Sequence, residues 1–194
     1  MSEVTLVSVI NACREGNEQS KKYLYMSYYS FVMGIIVRYI SGAHDAEELV
    51  NDSFIKIFRC LESFNLEGLH DEKELKKGFK SWMARISSRT AIDFLRVAKN
   101  LQKNDEITEV HINRNPTGVV NKMETIEILK LLDELPEIQK IIFNLYEIDG
   151  YSHKEIAELL NIQERHSSVY LSRAKNKLRI LYSKSMALKA SYHA

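Results

Sequence analysis

Apolar residues return every third or fourth position through nearly all of this 194-residue chain, and only seven glycines and two prolines stand against that rhythm. Such spacing gathers apolar side chains on one face of a helix, so the chain is expected to be all-α. "YLYMSYYSFVMGIIVRYI", residues 23–40, reads as a largely buried helix whose pattern breaks at Gly42. Asp45 is placed to cap the next helix, with Glu48 three positions on, an arrangement the helix dipole favours. That helix carries Ala46, Leu49, Val50, Phe54, Ile57 and Leu61 on one stripe. "NLEGLHDEKELKKG" reads as a polar loop, and a helix from near Phe79 is expected to bury Phe79, Trp82, Met83, Ile86 and Phe94.

Periodicity lapses over residues 99–122, which hold Pro116 and Gly118 and read as a flexible linker. Beyond it Met123, Ile126, Leu129 and Leu132 repeat every three residues, and Pro136 opens a further helix. That helix should bury Ile138, Ile141, Ile142, Leu145 and Ile148 and end on Gly150, suited to a left-handed cap. The expected organisation is two helical domains, 1–98 and 123–183, with the linker between them and a tail at 184–194.

A net charge of +1 hides a segregation. Residues 163–189 carry seven basic groups against Glu164, and residues 79–103 carry six against Asp93. Acids dominate from Asp105 to Glu158. Two basic patches on a near-neutral chain suggest weak polyanion contact at two places. The N-terminal "MSEVTLVSVINACREGNE" meets acids too early for a signal peptide. The longest apolar run, "FVMGIIV", is too short to span a bilayer. Cys13 and Cys60 lack CxxC spacing, which argues against a disulfide or zinc framework, so a reducing cytoplasm is the expected setting.

"YSHKEIAELLNIQERHSSVYLSRAKNKLR", residues 151–179, reads as two short helices around a tight turn. Ser152 and Glu155 make an S-x-x-E capping box, Ala157 leaves room for a second helix, and Asn161 suits a left-handed turn residue. Ile156, Leu159 and Leu160 supply the buried face of the first helix, and Ile162 plugs the turn. The second helix should bury Leu171, Ala174, Leu178 and Leu181 and turn Arg165, Ser168, Val169, Ser172, Arg173 and Asn176 outward. That is the layout of a recognition helix offering base-edge contacts flanked by phosphate contacts. Arg165 or Arg173 would suit guanine, and Val169 a thymine methyl.

"LPEIQKIIFNLYEIDGYSHKEIAELLNI" followed by "YLSRAKNKLR" resembles the promoter-binding domain of extracytoplasmic-function sigma factors, small bacterial subunits that direct RNA polymerase to promoters. Upstream, "DAEELVNDSFIKIF" is similar to their polymerase-binding helix, and "FKSWMARISSRTAIDFLR" to the adjoining helix that engages the −10 element. The resemblance implies that 1–98 is a sigma region 2 bundle and 123–183 a sigma region 4 helix-turn-helix. It places the grip on core RNA polymerase at Asp45, Glu48, Leu49, Asn51, Asp52, Phe54, Ile57 and Phe58. Leu49, Phe54 and Ile57 also fit simple core packing, and the acids also fit dipole compensation. The −10 strand falls to Asn65, Lys80, Trp82, Arg85, Arg89 and Arg96, with a base caught by a loop within residues 65–78. The three arginines lie at i, i+4 and i+11, on one face suited to phosphates. Trp82 fits the core as well as a stacking role. The −35 duplex falls to Arg165, His166, Ser168, Val169, Ser172, Arg173 and Asn176. An anti-sigma protein is the further partner implied, with the chain itself monomeric and not inserted in a membrane.

Departures from the family pattern bear on specificity. Arg89 stands where the family usually has Asn, which leaves base or phosphate contact open there. Ser167 falls on the buried side where Val is usual, its hydroxyl expected to bond back to a helix carbonyl. Gln163 replaces the usual Ser or Thr cap. No Walker loop, GxGxxG, HExxH or GxSxG occurs, so catalytic residues are not expected. Asp45, Glu48 and Asp52 lack the Glu-x-x-His partner of a carboxylate metal site, and no cofactor is expected. Two other readings fit a helix-turn-helix chain: a one-component regulator with a helical sensor domain, and a protein-interaction bundle.

Overall fold

The computed structural model describes residues 5–66, 71–102 and 130–192, all helix and connecting turns. The chain divides into two compact units, Met1–Val119 and Val120–Ala194. Met123, Ile126, Leu129 and most of the stretch read as a linker lie outside the described residues.

In the first unit, Thr5 caps α1 (Leu6–Arg14) by accepting the Ser8 N–H. Gly16, at φ 88°, turns the chain where a side chain would be strained. Asn17 then caps α2 (Glu18–Ile36), its carboxamide oxygen accepting from Ser20 N–H at 2.9 Å. The second helix therefore starts ahead of the apolar run, and its outward side leaves Tyr23 and Met26 exposed. The next helix, α3 (Ala43–Cys60), begins three residues earlier than its acids suggest. Its N-cap is Gly42, not Asp45. Asp45 folds back over that glycine, with Oδ2 2.8 Å from where a side chain there would begin. A short 3-10 turn (Leu61–Ser63) ends this segment.

The fourth helix, α4 (Glu72–Gln102), starts seven residues before Phe79. Residues 72–78 of the expected loop are thus helical, and residues 67–70 lie outside the described residues. The early start has a local cause. Lys73 N–H bonds the Asp71 carboxylate at 3.2 Å, Lys76 reaches Glu72 at 2.7 Å, and Leu75 is buried. Charged residues spaced for helical pairing had looked like a loop because one leucine carries the whole apolar stripe there.

Leu24, Val32, Ile36, Val50, Phe54, Ile57, Phe79 and Met83 form the fully buried centre of this unit. Ser53, Ser87 and Thr90 are buried among them and donate back to the Leu49, Met83 and Ile86 carbonyls at 2.6–2.9 Å. Small self-satisfied hydroxyls let helices approach closely without stranding a polar group.

In the second unit a helical turn over 130–133 precedes Pro136, which leads into α5 (Glu137–Phe143). The chain then widens into a π turn (Asn144–Ile148), with Asp149 N–H bonding Asn144 O. A π turn advances fewer degrees per residue than an α-helix. Ile148 therefore falls short of the buried stripe and is 49% exposed, contrary to the periodic expectation. Gly150 does take positive φ, 73°. The last two helices are α6 (His153–Leu160) and α7 (Glu164–Tyr192). Leu132, Leu135 and Ala174 pack together with Phe143 and Leu178 beside them. Lys140 is buried and held by Asp133 Oδ1 at 2.9 Å.

Candidate functional site

The turn between α6 and α7 is built by short-range chemistry. Ser152 Oγ accepts from Glu155 N–H at 3.2 Å, and Glu155 Oε2 accepts from Ser152 N–H at 2.8 Å, closing the capping box. Asn161 adopts φ 52°, ψ 50°, and the Ile162 N–H reaches Ala157 O at 3.0 Å. These two features fix where α6 starts and how it ends, and so where α7 begins. Ile156, Ala157 and Leu159 of α6 and Leu171 and Ala174 of α7 are all buried, and the two helices pack against each other.

On the other side of α7 the structure leaves Arg165, His166, Ser168, Val169, Ser172, Arg173 and Asn176 all exposed. Ser168 Oγ donates to Arg165 O at 3.0 Å, which orients its hydroxyl along the helix. His166 meets the edge of Tyr170 at 6.4 Å. Ser167 is fully buried but does not bond back to its own helix. Its Oγ pairs instead with Nδ1 of His153, 2.9 Å away at the start of α6. His153 is in turn stacked on Tyr146 of the π turn, with ring centres 4.4 Å apart. Lys175 is tied to Glu147 at 2.6 Å, so one of the basic groups of this helix is already paired. None of these three contacts had a signal in local spacing, because each joins separate elements.

The acidic helix α3 sorts its predicted residues into two sets. Glu48, Asn51 and Asp52 are exposed, and Asp45 is half-buried at the N-terminal end. Leu49, Phe54 and Ile57 are core, with Phe58 half-buried and its ring 6.0 Å from Phe54. Asn51 Oδ1 accepts from the Tyr25 hydroxyl at 2.9 Å, so α2 steadies this face. Ile55 was missed: it is 47% exposed, three residues on from Asp52. Its signal was an apolar residue off the buried stripe. The surface thus combines carboxylates with a small apolar centre and suits a partner of opposite charge.

On α4, Arg85, Arg89 and Arg96 are exposed, lying within about 40° on a helical projection. Arg96 bonds Asp93 at 2.9 Å, and Lys80 sits 5.4 Å over the Phe31 ring. Trp82 is half-buried, stacked on Phe79 at 5.6 Å and 5.4 Å from Phe64, so much of its ring serves packing. Asn65 is exposed just after Phe64. Arg14, which sequence reasoning passed over, donates to the Leu61 and Phe64 carbonyls from 47 and 50 residues away. It closes the C-terminal end of α3 with a cation, where the helix dipole favours one.

Among the described residues no helix is long and apolar enough to cross a membrane, and no group of three metal-binding side chains occurs. Residues 24–100 match Sigma-70 region 2, and residues 125–178 match Sigma-70, region 4. The chain is 26% identical over 171 residues to the ECF RNA polymerase sigma-E factor of Haemophilus influenzae, covering 82% of this chain and 85% of that one. It is 24% identical over 168 residues to the protein of the same name from Escherichia coli strain K12, covering 79% and 81%. Its fold is similar to that of the sigma factor RpoE in its co-crystal structure with the anti-sigma factor NepR from Bartonella quintana. That match has a TM-score of 0.51 at 19% identity and covers 84% of this chain and 96% of that one. With both regions present in order, one on each compact unit, the chain belongs to the sigma-70 family, as an extracytoplasmic-function sigma factor without catalytic activity of its own.

Proposed function

We propose that this sigma factor divides its work among the three surfaces just described. The exposed residues of α3, Glu48, Asn51, Asp52 and Ile55, together with half-buried Asp45, grip core RNA polymerase. Leu49, Phe54 and Ile57 hold that face from beneath, and Phe58 lies at its margin. Lys80, Arg85, Arg89 and Arg96 follow the phosphates of the −10 strand, with Asn65 and part of Trp82 at the entry to a base pocket. The outward residues of α7, Arg165, His166, Ser168, Val169, Ser172, Arg173 and Asn176, read the −35 duplex. The observation that carries this reading is the exposure of all seven on one side of a helix whose other side is buried.

The chain works in the cytoplasm as a monomer and binds promoters as part of holoenzyme. Alone it binds them poorly, because each basic patch is small and tethering to polymerase makes the second contact effectively intramolecular. An anti-sigma protein covering the polymerase and DNA faces is the expected regulator, as the Bartonella quintana relative is held by NepR. Co-elution with core polymerase from the same bacterium tests the central claim. Wild type should co-elute and Asp52→Arg should not. If neither binds while the free chain still retards duplex DNA, the grip on polymerase is refuted and a stand-alone regulator takes its place.

A further inference from the structure

Among the described residues, the buried side chains of α6 and of the first three turns of α7 are Ile156, Ala157, Leu159, Leu171, Ala174 and one polar group, Ser167. Ser167 is fully buried, in the first turns of α7, and its hydroxyl meets His153 Nδ1 at 2.9 Å. His153 is the first residue of α6. The bond therefore joins the N-terminal ends of both helices of the motif, beside the part of α7 that carries Arg165, Ser168 and Val169. The His153 ring is itself held: Tyr146 stacks on it at 4.4 Å with planes 21° apart. Tyr146 comes from the π turn, the widening that turns Ile148 out to solvent. Two turns along α7, Lys175 is tied to Glu147 of the same π turn.

Burial of Ile156, Ala157, Leu171 and Ala174 is non-directional and tolerates sliding of one helix on the other. A hydrogen bond has a preferred length and angle, and a buried one is costly to break. Serine donates and accepts, so this bond forms with either tautomer of the imidazole. A second tether farther along α7 fixes the direction of the helix as well as its position.

We propose that His153 is a positioning residue for −35 readout: through Ser167, and braced by Tyr146, it sets the angle at which the N-terminal half of α7 meets the base pairs. This rests on the assignment of α7 to the −35 duplex. Recognition groups need placement to within about 0.5 Å, whereas phosphate contacts by long side chains tolerate more. Loosening the bond should thus relax sequence discrimination and leave general DNA affinity nearly unchanged.

The test uses holoenzyme reconstituted with core polymerase and a duplex library randomised over both promoter elements, the bound fraction being sequenced. Ser167→Ala and His153→Phe break the same bond from opposite ends, the second keeping an aromatic ring for the stack. Each should lower discrimination at the best-read −35 base pairs by about tenfold. The double variant should lose no more than either single one, as coupled residues do. Preferences at the −10 element and affinity for an unrelated duplex should hold. Unchanged −35 preferences with only a lower melting temperature would overturn the proposal, as the bond would then serve stability alone. A loss confined to His153→Phe, equal on all sequences, would overturn it too, marking a direct phosphate contact. A wild-type holoenzyme that selects a −10 motif but no −35 motif would refute the −35 assignment itself, and the positioning role with it.

Discussion

Lys140 has its ammonium nearly out of water, with its side chain 7% exposed and Asp133 Oδ1 at 2.9 Å. Such a pair adds little over a well-packed apolar substitute, but removing one partner weakens the hold on a buried charge. Asp133→Ala should cost about 1.5–3 kcal/mol in urea unfolding followed by circular dichroism. Pairing Asp133→Leu with Lys140→Met should recover most of that loss, and a single-variant cost below about 1 kcal/mol would show that the lysine finds other solvation. The two cysteines differ in the same way. Cys13 is buried and Cys60 exposed. Burial, the largest influence, pushes the Cys13 thiol above its usual 9.0, with Lys21 lowering it and Glu18 raising it. Ellman's reagent should take Cys60 at once and Cys13 only as the chain unfolds. Burial likewise pushes the Tyr28 hydroxyl above 10.0. Both groups hold their protons more tightly when folded, so the unfolded chain loses them first as pH rises. These two groups should therefore lower stability as pH rises through 9, and more steeply past pH 10, in melts at stepped alkaline pH.

Caps and turn residues act over three or four positions, and this is why much of the helix-turn-helix was legible before any fold was known. Ser152, Glu155 and Asn161 are all where local rules put them. Asn161→Val should destabilise the C-terminal unit by about 1–2 kcal/mol, because a β-branched residue resists positive φ, while Asn161→Gly should be nearly neutral. Thermal melts of the two variants check this directly. The same local rules failed where helices had to answer to neighbours. Asp45 looked like a cap, yet Gly42 holds that place, because an N-cap without a side chain lets the aspartate fold back over it. Ile148 fitted the stripe until the π turn delayed it. The end of α3 depends on Arg14, whose partners are far away in sequence. Arg14→Met keeps the stem and removes the donors, so it should cost about 1.5–3 kcal/mol and free the Leu61–Phe64 turn first, visible as faster amide exchange there. Equal exchange in both proteins would mean that α1 docks by its apolar face alone.

At the scale of the whole molecule, charge decides what each unit can do alone. With Lys175 paired to Glu147, Arg165, Arg173, Lys177 and Arg179 are the other exposed Arg and Lys side chains over residues 164–179 of α7. About four phosphate contacts predict a log–log salt slope of about −3.6 for the chain on duplex DNA. A slope beyond about −7 in a fluorescence-anisotropy titration would mean that both units engage duplex together, against the division proposed here. The order of amino acids alone determined the all-helical class, the capping box, the left-handed Asn161 and the outward basic face of α7, because each depends on periodicity or on neighbours within one turn. The tertiary structure decided which members of the α3 set are buried, that Ile55 is not, and how much of Trp82 is packed against Phe64 and Phe79. It alone joined His153 to Ser167, Tyr25 to Asn51 and Arg14 to the end of α3. Such bonds form only when packing brings distant elements within hydrogen-bond reach, and spacing along one helix carries no record of which other helix will lie beside it.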